Sequence, residues 1–236
     1  MRRLARVSGL VLAVAGVLAL AWVVVVWRWQ DPFTALYTTW QQHRLEQQLA
    51  QEFAGAEPRA VQEAVGNDGG AAEALAIERA AARFRHTARE GQAIGRIVVP
   101  RIGLNMVLVN GTDEGSLERG PGRDLVSYMP GQNRLVYIAG HRTTFLAPFS
   151  HIDEIRKGDP IRLEMPYGTF VYRTVRHVIV PADDLAVLRS PRHELLALQA
   201  CNPRFFATQR YIVYAHLVRV DPISGPPLSP QALAAS

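Results

Sequence analysis

Between Val7 and Trp27 the chain runs 21 residues without a charge. At about 1.5 Å per helical residue such a run covers roughly 30 Å, the hydrocarbon thickness of a bilayer, so the pattern predicts a membrane-spanning helix. It then turns amphipathic. In "FTALYTTWQQHRLEQQLAQEF", residues 33–53, Leu45, Leu49 and Phe53 recur four apart between Gln and Glu, which predicts a second helix. Residues 54–72 carry the breakers Gly55, Pro58, Gly66 and "NDGG", and 71–89 is an Ala/Glu/Arg stretch with helical propensity but almost no large apolar side chains. A stretch of that composition cannot bury a core of its own, so 30–92 reads as a partly helical, membrane-proximal spacer with scope for movement.

At Ala93 the period changes to short β-branched runs separated by Gly, Pro, Asn and Asp: "IGRIVVP", "NMVLVNG", "RLVYIAG", "DPIRLEM", "GTFVYRTVRHVIVP", "ELLALQAC" and "RYIVYAHLVRV". Seven or eight strands of this kind predict one all-β domain over 93–221, a barrel or a sandwich. "MPYGTF" supplies a hairpin turn between two of them, while "DEGSLERG" and "FSHIDEI" are long enough only for a helical turn or two. The Pro- and Ser-rich end, 222–236, reads as a disordered tail.

Charge orients this layout. Arg2, Arg3 and Arg6 precede the apolar run, so the positive-inside rule keeps residues 1–6 cytoplasmic, makes 7–29 a signal anchor and places the rest outside the cell. Trp22, Trp27 and Trp29 gather toward the outer end, as an interfacial belt does. Ala19-Leu20-Ala21 has the form of a signal-peptidase site, but the apolar run continues through "WVVVVW", which favours a retained anchor over a cleaved signal. The net charge of +5 is spread along the chain without a Lys/Arg block, which argues against nucleic acid and for a basic surface facing anionic envelope polymers.

The chain has one cysteine, Cys201, so it cannot form an intramolecular disulfide, and a thiol kept outside the cell is reactive, paired between molecules, or incidental. A reactive thiol attacks as thiolate and needs a base or cation nearby and a donor for the oxyanion it creates. Of seven histidines, His43 and His86 lie in the spacer, His177 and His216 inside strands, and His151 and His193 in polar connections. His141 is different, because "RLVYIAGH" ends a strand in a Gly that lets the backbone turn and delivers an imidazole at the domain's rim. Cys201 likewise ends "ELLALQA" before Asn202-Pro203, and Arg210 opens the next strand. Spacing alone leaves open whether these three strand-end residues share one rim.

The stretches "VPRIGLNMVLVNGTDEGSLERGPG", "AGHRTTFLAPF", "GDPIRLEMPYGTFVY" and "CNPRFFATQRYIV" resemble the sortases, cysteine transpeptidases of the Gram-positive cell surface, in particular the class E sortases of actinobacteria. The resemblance runs from about Ile94 to Val220. It implies an eight-stranded sortase-like β-barrel with short helices, preceded by one transmembrane helix and the spacer. It also implies Cys201 as nucleophile, His141 as general acid/base and Arg210 as the cation that orients the substrate and steadies the oxyanion. The implied partners are secreted proteins with an LAxTG- or LPxTG-like C-terminal signal, the amine of a lipid-linked peptidoglycan precursor, and membrane lipid. Thr143, Thr144, Ala200, Asn202 and Pro203 are candidate substrate contacts. The family usually reads Thr-Leu-x-Thr-Cys at the nucleophile where this chain has Ala197-Leu198-Gln199-Ala200-Cys201, and Phe206 stands where a small polar residue is commoner. No cluster has metal-ligand spacing, so neither metal nor cofactor is expected. The alternatives are a peptide hydrolase using the same Cys/His/Arg site and a catalytically impaired, envelope-binding barrel.

Overall fold

The computed structural model describes residues 2–29, 32–55, 69–223 and 226–234. Helix α1 (Arg2–Trp29) contains a segment, Arg6–Val24, long and apolar enough to cross a membrane, and none of that segment is buried against the rest of the chain. The side chains of Arg2, Arg3, Trp27 and Trp29, on which the orientation and the aromatic belt were argued, lie outside the described residues. So do residues 56–68, which hold most of the breaker-rich stretch.

Eight strands close a barrel: β1 (Ala93–Val99), β2 (Leu104–Asn110), β3 (Gly122–Arg123), β4 (Leu135–Ala139), β5 (Pro160–Met165), β6 (Gly168–Pro181), β7 (Leu195–Asn202) and β8 (Gln209–Pro222). Their order around the barrel is β1-β2-β3-β4-β7-β8-β6-β5. Closure leaves no unpaired edge. All neighbours are antiparallel except β2 with β3 and β4 with β7. The alternation of side chains then sorts β7 into two faces. Leu196, Leu198 and Ala200 join the interior core with Val136, Ile138, Phe170 and Val213, whereas Ala197 joins Leu135, Tyr137, Ile212 and Tyr214 in a smaller cluster on the outer wall.

The spacer is not a loose tether where it is described. Leu45 and Leu49 of α2 (Pro32–Gly55) bury against Ala93, Val107 and Val109, and the Gln42 side chain both donates to Val107 O (3.2 Å) and accepts from Val107 N (2.8 Å). Helix α3 (Gly69–Thr87) places Ala74, Ile77 and Ala81 in the barrel core, and Phe84 meets Tyr167 edge-on at 5.9 Å. Small side chains do not build a core, but they let a helix approach an existing one closely enough to close the end of the barrel. The expected disordered tail is corrected in the same way. Leu228 and Val220 exchange backbone hydrogen bonds, and Leu228 and Leu233 are buried in the main core, the latter on the short helix α5 (Pro230–Ala234). Two leucines with somewhere to bury outweigh a Pro/Ser-rich composition. The remaining short helix, α4 (Glu114–Leu117), is N-capped by Asp113, whose carboxylate accepts from Ser116 N at 3.0 Å.

Two buried polar groups hold the loops. Arg123, 1% exposed, donates to Asn110 Oδ1 (3.0 and 2.6 Å), Asp124 O (3.1 Å) and Ser127 O (2.6 Å). Burial, with the charge of Arg85 adding to it, brings its pKa down to about 10. At the start of β7 the Glu194 carboxylate accepts from Gly131 N (2.9 Å), Asn133 N (2.8 Å) and the Tyr172 hydroxyl (2.8 Å).

Candidate active site

The sequence delivers its three candidate groups through strand register. Cys201 and Arg210 are paired residues of antiparallel β7 and β8, so both side chains leave the same face of the sheet. On the other flank, β4 runs parallel to β7 with Ala139 beside Gln199, and the ladder continues one step further as Gly140 N donates to Gln199 O at 3.0 Å. His141 is the next residue. Cys201, His141 and Arg210 all line one cleft of about 300 Å³, together with Tyr137, Gln199, Asp124 and the 182–188 connection, whose Leu185, Val187 and Leu188 form the opposite wall. The cleft therefore lies on the outer face of the β4-β7-β8 wall, toward its end, while the barrel interior is filled.

Gly140 is required at its position by close packing, because a Cβ there would stand 2.7 Å from the buried ring of Phe149. Beyond it the chain makes a left-handed turn in which Phe145, Leu146 and Ala147 all have positive φ (51°, 59° and 37°). Non-glycine residues adopt that region at a cost of about 1 kcal/mol or more each. The turn is held by Ala147 N to Thr144 O (2.8 Å), by Phe149 N to His141 O (3.0 Å), and by the hydroxyl of Thr34 on α2, which accepts from Phe145 N at 3.1 Å. The Phe145 ring sits on the His141 ring with centroids 5.0 Å apart.

The electrostatics follow from burial. His141 is drawn below the ordinary imidazole value by desolvation, with Glu114 opposing weakly, and its Nε2 is buried with no hydrogen-bond partner among the described residues. Tyr137 is pushed well above the ordinary phenol value, first by burial and then by Tyr214 and Asp124, with Arg210 opposing; it remains a hydrogen-bond donor, here to Gln199 Oε1. Arg210 donates to Ala207 O (2.7 Å) and Gln209 O (3.0 Å), which leaves the rest of its guanidinium for the cleft it lines. Cys201 is half-buried and is the free thiol of the described chain.

The candidate substrate contacts separate. Ala200 is 1% exposed and points into the barrel core, so the residue before the cysteine faces away from the cleft. Thr143 and Thr144 lie in the turn after His141 and do not line the cleft. Asn202 is a structural tie, its Oδ1 accepting from Arg142 (2.8 Å) and its Nδ2 donating to Gln209 Oε1 (2.9 Å). Pro203, after a cis bond, accepts from the amides of Phe206 and Ala207. Phe206 is 76% exposed outside the cleft and does not narrow it.

Arg142 is the residue that sequence reasoning missed. It is 6% exposed, donates to Cys201 O (3.2 Å) and Asn202 Oδ1 (2.8 Å), and pairs with Asp153 at 2.9 Å. It thus ties the segment that carries the imidazole to the residue that carries the thiol. Its signal in the sequence was only its place, one step after His141. Among the described residues no cluster of His, Cys, Asp and Glu is arranged to hold a metal.

These features agree with what the chain is similar to. A family model described as the sortase domain matches residues 97–218. Sortase D of Bacillus subtilis is 38% identical over 133 residues, covering 54% of this chain and 65% of the relative. Sortase SrtE2 of Streptomyces coelicolor is 30% identical over 107 residues, covering 41% and 42%. The chain therefore spans somewhat under two thirds of the first relative's length and less than half of the second's. Among solved structures, sortase E1 of Streptomyces coelicolor with a tripeptide in its active site superposes with a TM-score of 0.53 at 25% identity, over 56% of this chain and 91% of that one. With the family model covering more than half of its residues and the closed barrel matching, this chain belongs to the sortase family.

Proposed function

We propose that the chain is a membrane-anchored cysteine transpeptidase that cuts a C-terminal sorting signal and joins the new carboxyl end to a cell-wall precursor amine. The observation that carries this reading is the convergence of Cys201, His141 and Arg210 on one cleft. In the reaction, the Cys201 thiolate attacks the scissile carbonyl carbon, and the oxyanion that forms is opposed by the guanidinium of Arg210. His141 as imidazolium gives its proton to the departing amine, the C–N bond breaks and a thioester remains. The incoming amine then attacks the thioester, loses its proton to His141, and the thiolate leaves.

Reference pKa values of about 8.5 for a thiol and 6.5 for imidazole put the thiolate–imidazolium pair near 1% of the neutral pair. Burial of His141 disfavours the imidazolium and reduces that fraction further, so a fixed cation beside the sulfur is what the chemistry asks for. The buried, unpartnered His141 Nε2 is a hydrogen-bonding position that a substrate or leaving group can fill.

The class E assignment rests on the motif resemblance and on the SrtE relatives, beside a sortase D relative of higher identity. The loss of threonine at position 200 does not argue for an impaired enzyme, since Ala200 faces the core. Anchoring by α1 with the N-terminus cytoplasmic is supported by its apolar length and the leading arginines. The test uses the full chain in detergent with LAxTG and LPxTG peptides and an added amine. The wild type is expected to form a trappable thioester and amide product, faster on LAxTG, and Cys201→Ala to form neither. Equal null results for both proteins would refute the reading, and hydrolysis indifferent to amine would replace transfer by proteolysis.

A further inference from the structure

The chain length between the membrane helix and the catalytic turn is short enough to fix which way the cleft faces. Helix α1 ends at Trp29, and five residues on, Thr34 accepts a hydrogen bond from Phe145 N, whose ring lies on His141. Five residues span at most about 18 Å even when fully extended. The turn beside His141 is therefore tethered within that distance of the point where the chain leaves the apolar helix. The far end of the barrel, where β8 ends at Pro222, lies the length of a 14-residue strand away from Gln209 at the cleft end.

The same end of the barrel carries an unusual surface. The 203–208 loop between Cys201 and Arg210 exposes Phe205 (59%) and Phe206 (76%), and the adjoining 182–188 connection exposes Leu185 (74%). The two segments are joined by Ala182 N to Thr208 O at 3.2 Å, and Arg204 reaches from the first to Ser150 O, beside the His141 turn. Large apolar side chains exposed at loop tips are unfavourable in water but suit the boundary between headgroups and acyl chains, where an arginine stem lies along the apolar surface and its head stays wet. Asp183, exposed on the 182–188 connection, limits any insertion to the headgroup level.

We propose that this rim is a membrane-docking surface: Phe205, Phe206 and Leu185 rest in the outer face of the bilayer that holds α1, so the cleft opens at the lipid surface. The occupant is the lipid bilayer and not a soluble peptide, because the tether brings this face, and not the opposite one, to the membrane. A cleft so placed meets substrates that are themselves held at the membrane. The inference rests on the anchor reading of α1.

The test is spin-label accessibility in the full chain, in a Cys201→Ala background, reconstituted into phosphatidylcholine vesicles. Labels are placed singly by Phe206→Cys and Leu185→Cys, with Ile223→Cys as control, an exposed apolar residue (46%) just beyond β8 at the far end. Labels at 206 and 185 are expected to show several-fold higher collision with dissolved oxygen and lower collision with a water-soluble nickel chelate than the label at 223. Equal water access at all three positions in vesicle-integrated protein would overturn the docking. A label at 206 shielded only when an LAxTG peptide is added, and not by lipid, would give the patch to substrate and overturn it equally. Release of the chain from vesicles by alkaline carbonate would remove the anchor reading and the docking with it, an outcome separate from the first two.

Discussion

Glu194 offers a quantitative test of the fold beneath the cleft, since it immediately precedes the strand that carries Cys201. Its carboxyl is buried, and desolvation outweighs the donors from Gly131, Tyr172 and Asn133 to raise its pKa to about 7 from an ordinary 4.5. An acid whose pKa rises on folding favours the folded state when protonated. Its contribution is complete below about pH 4.5 and is lost as pH climbs through about 7. A shift of that size corresponds to about 3 kcal/mol in all, most of which falls between pH 5 and pH 8. In Glu194→Gln this dependence disappears. An amide oxygen at the Oε1 position keeps the Gly131 and Tyr172 bonds, while the amide NH₂ faces Asn133 N, donor to donor, at a constant cost of about 1–3 kcal/mol. The variant should be the less stable protein at pH 5 and close the gap, or reverse it, by pH 8. Urea unfolding of the detergent-solubilised chain, followed by near-ultraviolet circular dichroism of the barrel tyrosines, reads the difference at each pH. A gap that stays constant within about 0.5 kcal/mol from pH 5 to pH 8 would refute the burial argument, because the penalty tracks ionisation of this one group.

Two further outcomes concern the cleft. Arg142→Ala should lower kcat about 10–100-fold with little change in KM, as expected for slight misplacement of thiol and imidazole, and Arg142→Lys should recover only part because one ammonium cannot reproduce the guanidinium's spread of contacts. Steady-state kinetics beside the rate of Cys201 alkylation checks this, and a pure KM effect would argue against a positioning role. NMR titration of the His141 ring should give a midpoint below the ordinary 6.5, with the neutral form dominant at pH 7; a midpoint above 6.5 would mean that charge partners, not burial, govern it.

The strands were legible because β-branched runs bounded by Gly and Pro have few other ways to bury their apolar faces, and seven of the eight were read from such runs. β3 was not, since Gly122–Arg123 is two residues long and exists only because β2 and β4 flank it. Cys201, His141 and Arg210 were singled out by their places at strand ends, with their roles implied by the sortase resemblance, and the register brings them to one cleft. Composition misled where burial depends on a partner surface: Ala74, Ile77 and Ala81 look too sparse for a core until a barrel end is placed beneath them. Ala200 was weighed as a cleft residue from its position beside the cysteine, although alternation along an extended strand already assigns it to the other side.

β7 lies between β4 and β8; the thiol and the guanidinium sit on β7 and β8, and the imidazole follows two residues after the end of β4. Their spacing is thus written in two hydrogen-bond ladders and owes nothing to the covalent path between them. A circular permutant opened in an exposed part of the 182–193 connection, or two fragments divided there and mixed, should reassemble the same trio. The molecule is, in this sense, tolerant of rewiring and intolerant of slippage: one residue of offset along β7 would turn Ala200 outward and carry the sulfur into the barrel.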